Sequence, residues 1–167
     1  GAEREALLRK ARLTKELALA APMTDGLFPA VIGTENDIVE VGGIKVRRPR
    51  GWETARWTNS DRTPREHGIT PDWYHVLDMS WTALLMLRWH EELEPDARLV
   101  DYAKAYGERR LELQDEEGFF PGWLDPRTQA PGPVMNRTPE TSPSATLLLK
   151  LAAMTGALLF LTGVYAG

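Results

Sequence analysis

Residues 80–85 read Ser-Trp-Thr-Ala-Leu-Leu, and residues 144–149 read Ser-Ala-Thr-Leu-Leu-Leu. Both stretches lie in runs that are apolar on nearly every helical face, and a helix of that kind packs inside other elements. The sequence therefore predicts two matching inner helices. The first begins at Thr70-Pro71-Asp72 and runs to about Glu92. The second begins at Ser142-Pro143 and stops at Gly156.

The segments before the inner helices also match. Residues 25–29 read Asp-Gly-Leu-Phe-Pro and residues 117–121 read Glu-Gly-Phe-Phe-Pro, which share an acid-Gly-x-Phe-Pro motif. The amphipathic periodicity upstream of each motif predicts an outer helix, over residues 3–21 and from residue 95 to about residue 114. The chain thus predicts a unit of outer helix, loop and inner helix that is used twice, over about residues 3–92 and 95–156.

The sequence of the first loop predicts a small β-hairpin. Two β-branched runs flank Gly42-Gly43, which is the composition of a two-residue hairpin turn. The rest of the loop, as far as Gly68, is rich in Pro, Arg and Trp and has no period. Loops this long in a compact domain are usually functional or mobile.

With these motifs the chain resembles the α/α-toroid superfamily of six-hairpin glycosidases and polysaccharide lyases, in which outer and inner helices alternate around a ring. The resemblance implies an all-α single domain over residues 1–167, built of α/α-hairpin repeats. It also implies a carbohydrate substrate in a cleft formed by the loops at one end of the inner helices. A complete ring needs roughly twice this length or more, so we expect a partial toroid of about two hairpins.

Composition excludes several classes of function. The 167 residues include 20 basic and 24 acidic side chains that are mostly interspersed, which argues against a general nucleic-acid binder. The absence of Cys excludes disulfide frameworks, thiolate zinc sites and cysteine nucleophiles. The three histidines, His67, His75 and His90, lack the spacing of a metal site, and no phosphate-binding motif is present. We therefore expect neither a metal nor a cofactor.

The chain begins at Gly1 without an initiator Met or a signal stretch, which predicts a processed product or a fragment. The compartment is periplasmic or secreted if a signal peptide was removed, and cytoplasmic otherwise. Residues 151–167 carry no charge but are shorter than a spanning helix of about 20 residues, so a membrane span is disfavoured. We expect a missing chain segment or a second copy of the chain to cover this apolar edge.

The candidate catalytic residues lie near the starts of the inner helices. His75 and Asp78 are three positions apart and share a helix face, so they could form an acid/base pair. Asp78 would be the general acid or carboxylate, with His75 or Tyr74 as the proton acceptor that a lyase needs beside a uronate carboxyl. Glu140 could supply the second carboxylate that glycosidases commonly need, about 5 to 9.5 Å from the first. The alternatives are a His75–Asp78 hydrogen bond inside the bundle and a solvated acid at a helix start.

The candidate substrate-binding residues are aromatic and basic. Four tryptophans lie on loops or loop–helix junctions, where an indole can stack on a sugar: Trp52, Trp57, Trp73 and Trp123. Arg50 and Arg56 could bind a carboxylate bidentately, which favours an acidic sugar. The alternatives are tryptophans that seal the loops onto the bundle and a solvated basic loop. We expect Trp81 and Trp89 to lie in the core.

Together these features predict a glycoside hydrolase that acts on an oligosaccharide or polysaccharide. A polysaccharide lyase of the same architecture, which eliminates at a uronate, is the close variant. The rival from another class is a non-catalytic helical module, a fragment or subunit that packs against a partner.

Overall fold

The computed structural model describes residues 1–29, 35–50, 66–69, 73–137 and 142–161. Most of these residues are helical, and the helices pack together. The helices are α1 (Ala2–Leu19), α2 (Val76–Glu92), α3 (Ala97–Glu112) and α4 (Ser142–Thr155), and residues 159–161 are again helical. The strands are β1 (Glu35–Val41), β2 (Ile44–Arg50), β3 (Tyr74–His75) and β4 (Trp123–Leu124). The mostly helical class is confirmed.

The two outer-type helices and the last helix lie where the sequence predicts them. At the start of α3, the Asp96 side chain accepts a hydrogen bond from the backbone N–H of Arg98 at 3.1 Å, as an N-cap residue does. Helix α4 ends one residue before Gly156, whose φ of 69° is the left-handed conformation common after a helix.

The predicted start of α2 at Thr70-Pro71-Asp72 is wrong. The helix begins at Val76, because Tyr74 and His75 are extended and pair with β4 in an antiparallel ladder. His75 is the N-cap residue, with φ −96° and ψ 106°. A tertiary pairing with a distant segment therefore displaces the helix start that the local pattern favours.

The predicted β-hairpin is confirmed, and its strands are longer than the β-branched runs. Strands β1 and β2 pair antiparallel from Glu35↔Arg50 to Val41↔Ile44. Gly42 and Gly43 form the turn with φ values of 58° and 76°, and a type I′ turn requires a positive φ at both central residues.

The repeated Phe-Pro motifs insert into the core from two loops. Phe28 is buried and its ring lies 5.0 Å from that of Tyr102 and 5.4 Å from that of Tyr106. Phe120 is also buried, and its ring centroid lies 4.5 Å from Arg110 Cζ. Both motifs therefore anchor their loops on α3.

The two matching inner-type stretches meet in the core. Ser80 of α2 and Ser144 of α4, which begin the two stretches, are buried, and their hydroxyl oxygens are 3.0 Å apart. Behind them α3 approaches α4 closely at Gly107, where an added Cβ would collide with Leu151. Small residues at both points allow the helices to pack tightly.

Trp81 is not a core residue. Its side chain is 52% exposed, and Leu85, one turn further along α2, is 57% exposed. Leu149 of α4 is exposed as well. Helices α2 and α4 therefore leave apolar side chains open to solvent. Within the described part of the chain, no helix combines the length and the apolar character that crossing a membrane requires.

Candidate functional site

The β3–β4 ladder joins the start of α2 to the loop that follows the second Phe-Pro motif. Tyr74 pairs with Leu124 and His75 pairs with Trp123. The backbone N–H of Val76 donates to the carbonyl oxygen of Gly122 at 3.0 Å, which continues the contact into α2. Gly122 also lies close to Met135: a Cβ at this position would be 2.5 Å from the Met135 carbonyl oxygen, so the position requires a glycine.

His75 and Asp78 form a hydrogen-bonded pair at this junction. His75 Nδ1 lies 2.8 Å from Asp78 Oδ2, and the side chains are 14% and 49% exposed. An ionised carboxylate can only accept, so Nδ1 carries the proton and Nε2 of the neutral imidazole keeps a lone pair. None of the described residues forms a hydrogen bond with Nε2. The Asp78 carboxylate is thus about half exposed, whereas the imidazole is mostly buried, and a lone pair on Nε2 can accept a proton.

Trp123 lies beneath His75. The two rings are stacked with centroids 4.0 Å apart and planes 9° apart, and Trp123 is only 2% exposed. Its indole holds the imidazole in place, so in this structure Trp123 is not the exposed sugar platform that its loop position suggested. Trp73 is partly exposed, and it borders Gly132 as Trp123 does: a Cβ at Gly132 would lie 3.1 Å from Trp73 Cζ3 and 3.2 Å from Trp123 Cβ.

The side chains of Tyr74 and His75 point to opposite faces of β3, as successive side chains of a strand do. Burial raises the pKa of Tyr74, a hydrogen bond with the Thr24 side chain lowers it, and the charge of Asp25 raises it. Tyr74 therefore lies beside the first acid-Gly-x-Phe-Pro motif. The structure does not bring Tyr74 and His75 together as one proton-transfer group.

A polar cleft that the sequence does not predict borders the same motif. Gln129 Nε2 donates to Asp25 Oδ2 at 3.1 Å, and Arg109 Nη2 donates to Gln129 Oε1 at 2.5 Å. Asp25 and Gln129 have positive φ values of 48° and 58°, which are uncommon for residues other than glycine. The cleft has a volume of about 510 Å³ and is lined by Asp25, Gly26, Ala105, Glu108, Arg109, Glu112 and Gln129. In the sequence, this place was marked only by the first two residues of the motif, Asp25 and Gly26.

The side chains of the remaining predicted site residues lie outside the described part of the chain. Trp52, Trp57, Arg56 and Glu140 lie outside the described residues. Arg50 is the last residue of β2, and its backbone alone is described. Among the residues that the structure describes, no group of three or more His, Asp or Glu side chains is arranged to hold a metal ion.

Comparison of the chain with family models, with curated proteins and with solved structures finds no match. The resemblance to the α/α-toroid superfamily therefore stays a prediction.

Proposed function

We propose that this chain is a carbohydrate-active protein, most simply a glycoside hydrolase, in which His75 and Asp78 form the proton-transfer pair. The observation that carries the proposal is the hydrogen-bonded pair of His75 and Asp78, in which none of the described residues binds Nε2 and Trp123 stacks on the imidazole. We further propose that the helices form two α/α-hairpin units of a partial toroid.

The proposed roles follow from the geometry of the dyad. Asp78 holds the imidazole in the tautomer that leaves the lone pair on Nε2, and it stabilises the imidazolium that forms when Nε2 takes a proton. In hydrolysis that proton comes from the attacking water, and Glu140 remains the candidate for the second carboxyl group. Trp73, Trp52 and Trp57 are the proposed sugar-stacking residues.

Elimination at a uronate is the second candidate reaction, and it is favoured because none of the described residues binds Nε2. In that reaction Nε2 takes the proton from the carbon beside the carboxyl group, a carbon–carbon double bond forms, and the leaving sugar oxygen departs with the electron pair of its bond. Arg50 and Arg56 are the proposed partners of the uronate carboxylate.

The test is a panel of neutral and uronate-bearing oligosaccharides, followed by reducing ends and by ultraviolet absorbance of the unsaturated product. We expect Asp78→Asn and His75→Gln to lower the rate by about 10²- to 10⁴-fold, which is the contribution of a positioned acid or base. Asp101→Asn is the matched control, since Asp101 is an exposed helical aspartate on α3. Absorbance of the unsaturated product identifies the lyase, and its absence with new reducing ends identifies the hydrolase.

Two results contradict this proposal. One is a folded wild-type chain, checked by circular dichroism, that leaves the whole panel uncut. The other is a dyad variant that keeps the rate of Asp101→Asn.

A non-catalytic helical module is the alternative from another class, and the exposed Trp81, Leu85 and Leu149 favour it. In the apolar C-terminal part, Leu151 and Phe160 are buried and Leu158 is exposed, whereas residues 162–167 lie outside the described part. We propose a second copy of the chain as the partner. Sedimentation equilibrium decides: a dimer supports the module, and a stable monomer of 18.7 kDa counts against it.

A further inference from the structure

An apolar groove lies between α1 and α2. Its volume is about 410 Å³, which falls in the range of about 300 to 1,000 Å³ that is usual for ligand pockets. Helix α1 lines it with Ala11, Thr14 and Ala18, and α2 lines it with residues that include Leu85 and Trp89. Leu85 is 57% exposed, so a ligand can reach the groove from solvent.

The groove exists because ion pairs anchor α1 on the start of α3. Glu16 is the only residue of α1 that is buried, and its carboxylate pairs with Arg98 at 2.8 Å. The ammonium group of Lys15 lies 2.9 Å from Asp96 in the same region. Because these polar contacts hold α1 in place, the small side chains of α1 that border α2 leave the space between the two helices unfilled.

The groove carries no unpaired charge. Of the described residues that line it, only Lys15 is charged, and its side chain is 11% exposed. Besides Asp96, its ammonium group has Glu16 at 3.5 Å and the ring centroid of Trp89 at 5.7 Å. A buried charge that already has its partners gains nothing from a charged ligand, which would itself have to be desolvated. The groove therefore fits a neutral ligand.

The polarity of α2 changes along the groove. Four positions of α2 lie on one helix face, with the spacing i, i+4, i+7 and i+11: Asp78, Thr82, Leu85 and Trp89. Asp78 does not line the groove, but its Cβ lies about 5 to 6 Å from that of Thr82, which does. From Thr82 to Trp89, about 10 Å along the helix axis, the further lining residues are hydrophobic and include Met86. The groove thus begins beside the dyad and becomes apolar away from it.

We propose that the groove binds the neutral, apolar aglycone of a glycoside whose sugar lies at the His75–Asp78 dyad. The substrate is then an alkyl or aryl glycoside, with the sugar beside Asp78 and Thr82 and the aglycone against Leu85 and Trp89. Hydrolysis adds the OH of water to the anomeric carbon and its other hydrogen to the aglycone oxygen, which releases a free sugar and an alcohol. This inference rests on the proposed function, because it takes the dyad as the reacting centre.

The binding test needs no activity. It titrates the full chain with 1-octanol, which represents the aglycone alone, and with glycerol as the polar control. The readout is the ¹³C-correlated ε-methyl resonance of Met86, which lines the groove and is assigned by its loss in Met86→Leu. We expect a saturable shift with octanol and none with glycerol.

Three variants locate the bound octanol. Ala11→Phe fills the groove although it adds apolar surface, and Leu85→Lys places a charge in the lining. Each should weaken octanol binding about tenfold or more, the effect of losing the burial of two methylene groups. Leu149→Lys is the matched control, because Leu149 is also an exposed leucine but lies on α4 and does not line the groove. It should bind octanol as the wild type does, and circular dichroism checks that each variant is folded.

The activity test compares the octyl and methyl glycosides of the sugar that the oligosaccharide panel identifies, with the octyl glycoside below its micelle-forming concentration. We expect the KM of the octyl glycoside to be about tenfold lower or more. Leu85→Lys should lose this difference and Leu149→Lys should keep it. Octanol binding without cleavage of any glycoside overturns the proposed function and the aglycone assignment with it. Glycoside cleavage without octanol binding overturns the assignment of the groove alone.

Three further results overturn the inference. Ala11→Phe binds octanol as tightly as the wild type, which would place octanol elsewhere, or the methyl and octyl glycosides have the same KM. In the third, sedimentation equilibrium shows a dimer that Leu85→Lys dissociates and Leu149→Lys does not, so that a second copy of the chain occupies the groove.

Discussion

Glu16→Gln tests the ion network that ties α1 to the start of α3. Glu16 is 1% exposed and accepts two hydrogen bonds from Arg98, Nη1 to Oε2 at 3.0 Å and Nη2 to Oε1 at 2.8 Å. The ammonium group of Lys15 lies 3.5 Å away. Gln keeps the size of the side chain but replaces one acceptor oxygen with an N–H₂ group that faces a donor.

The expected loss follows from the burial of the two partners. Removing one partner of a buried ion pair costs about 3–5 kcal/mol, because it leaves the other charge buried and unpaired. Arg98 is 40% exposed and keeps a hydrogen bond with Asp96 at 2.6 Å, so its charge is still partly compensated. We therefore expect a loss of about 2 kcal/mol, below that range. For a chain of this length the loss corresponds to about 4–8 °C in melting temperature.

The chain offers a matched control. Glu94→Gln removes the carboxylate that pairs with Arg12, another contact between α1 and a residue 82 positions away, but Glu94 is 34% exposed. Exposed ion pairs contribute little, so this variant should melt close to the wild type. Urea and thermal unfolding followed by circular dichroism measure both variants. Equal melting temperatures for Glu16→Gln and Glu94→Gln would refute the argument from burial.

Two further predictions concern acid stability and one close backbone contact. Hydrogen bonding from Arg98 holds the pKa of Asp96 well below its usual range, so the carboxylate stabilises the fold above the unfolded-state pKa of about 3.9, and this contribution is lost as the pH falls further. The urea midpoint of the wild type should therefore fall between about pH 4 and pH 2, and that of Asp96→Asn should fall less. Parallel falls of the two midpoints would contradict the prediction. Gly26→Ala should destabilise the fold more than Gly68→Ala. The two glycines have similar φ values of 76° and 79°, but only at Gly26 would the Cβ collide, 2.5 Å from the carbonyl oxygen of Ala105. Equal urea midpoints for the two variants would show that the collision is relieved.

The helices were predictable because their signals are local. Asp96 before an amphipathic run and Gly156 after an apolar one mark ends that the structure places within a residue or two. The start of α2 was not predictable in this way. Thr70-Pro71-Asp72 is a good local helix start, but the pairing of His75 with Trp123 depends on a segment far along the chain. Nothing in the neighbourhood of His75 encodes that pairing.

The same distinction between local and long-range signals applies to the candidate site. The contact between His75 and Asp78 follows from a spacing of three residues, so the sequence could predict it. The exposure of the tryptophans could not be predicted, because composition gives the apolar area of a side chain but not which neighbour covers it. Trp123 was expected on a loop surface and is buried, whereas Trp81 was expected in the core and is half exposed.

The two Phe-Pro motifs show how similar segments acquire different chemistry. Phe28 packs against Tyr102 and Tyr106, and Phe120 packs one helical turn further along α3 against Arg110. These α3 positions are four residues apart, so they lie on one helix face. The same apolar insertion therefore meets a tyrosine in one half and a guanidinium in the other. Among the described residues, the side chains in contact with this guanidinium are aromatic or hydroxylic, so the second motif covers a buried cation where the first covers only aromatic rings.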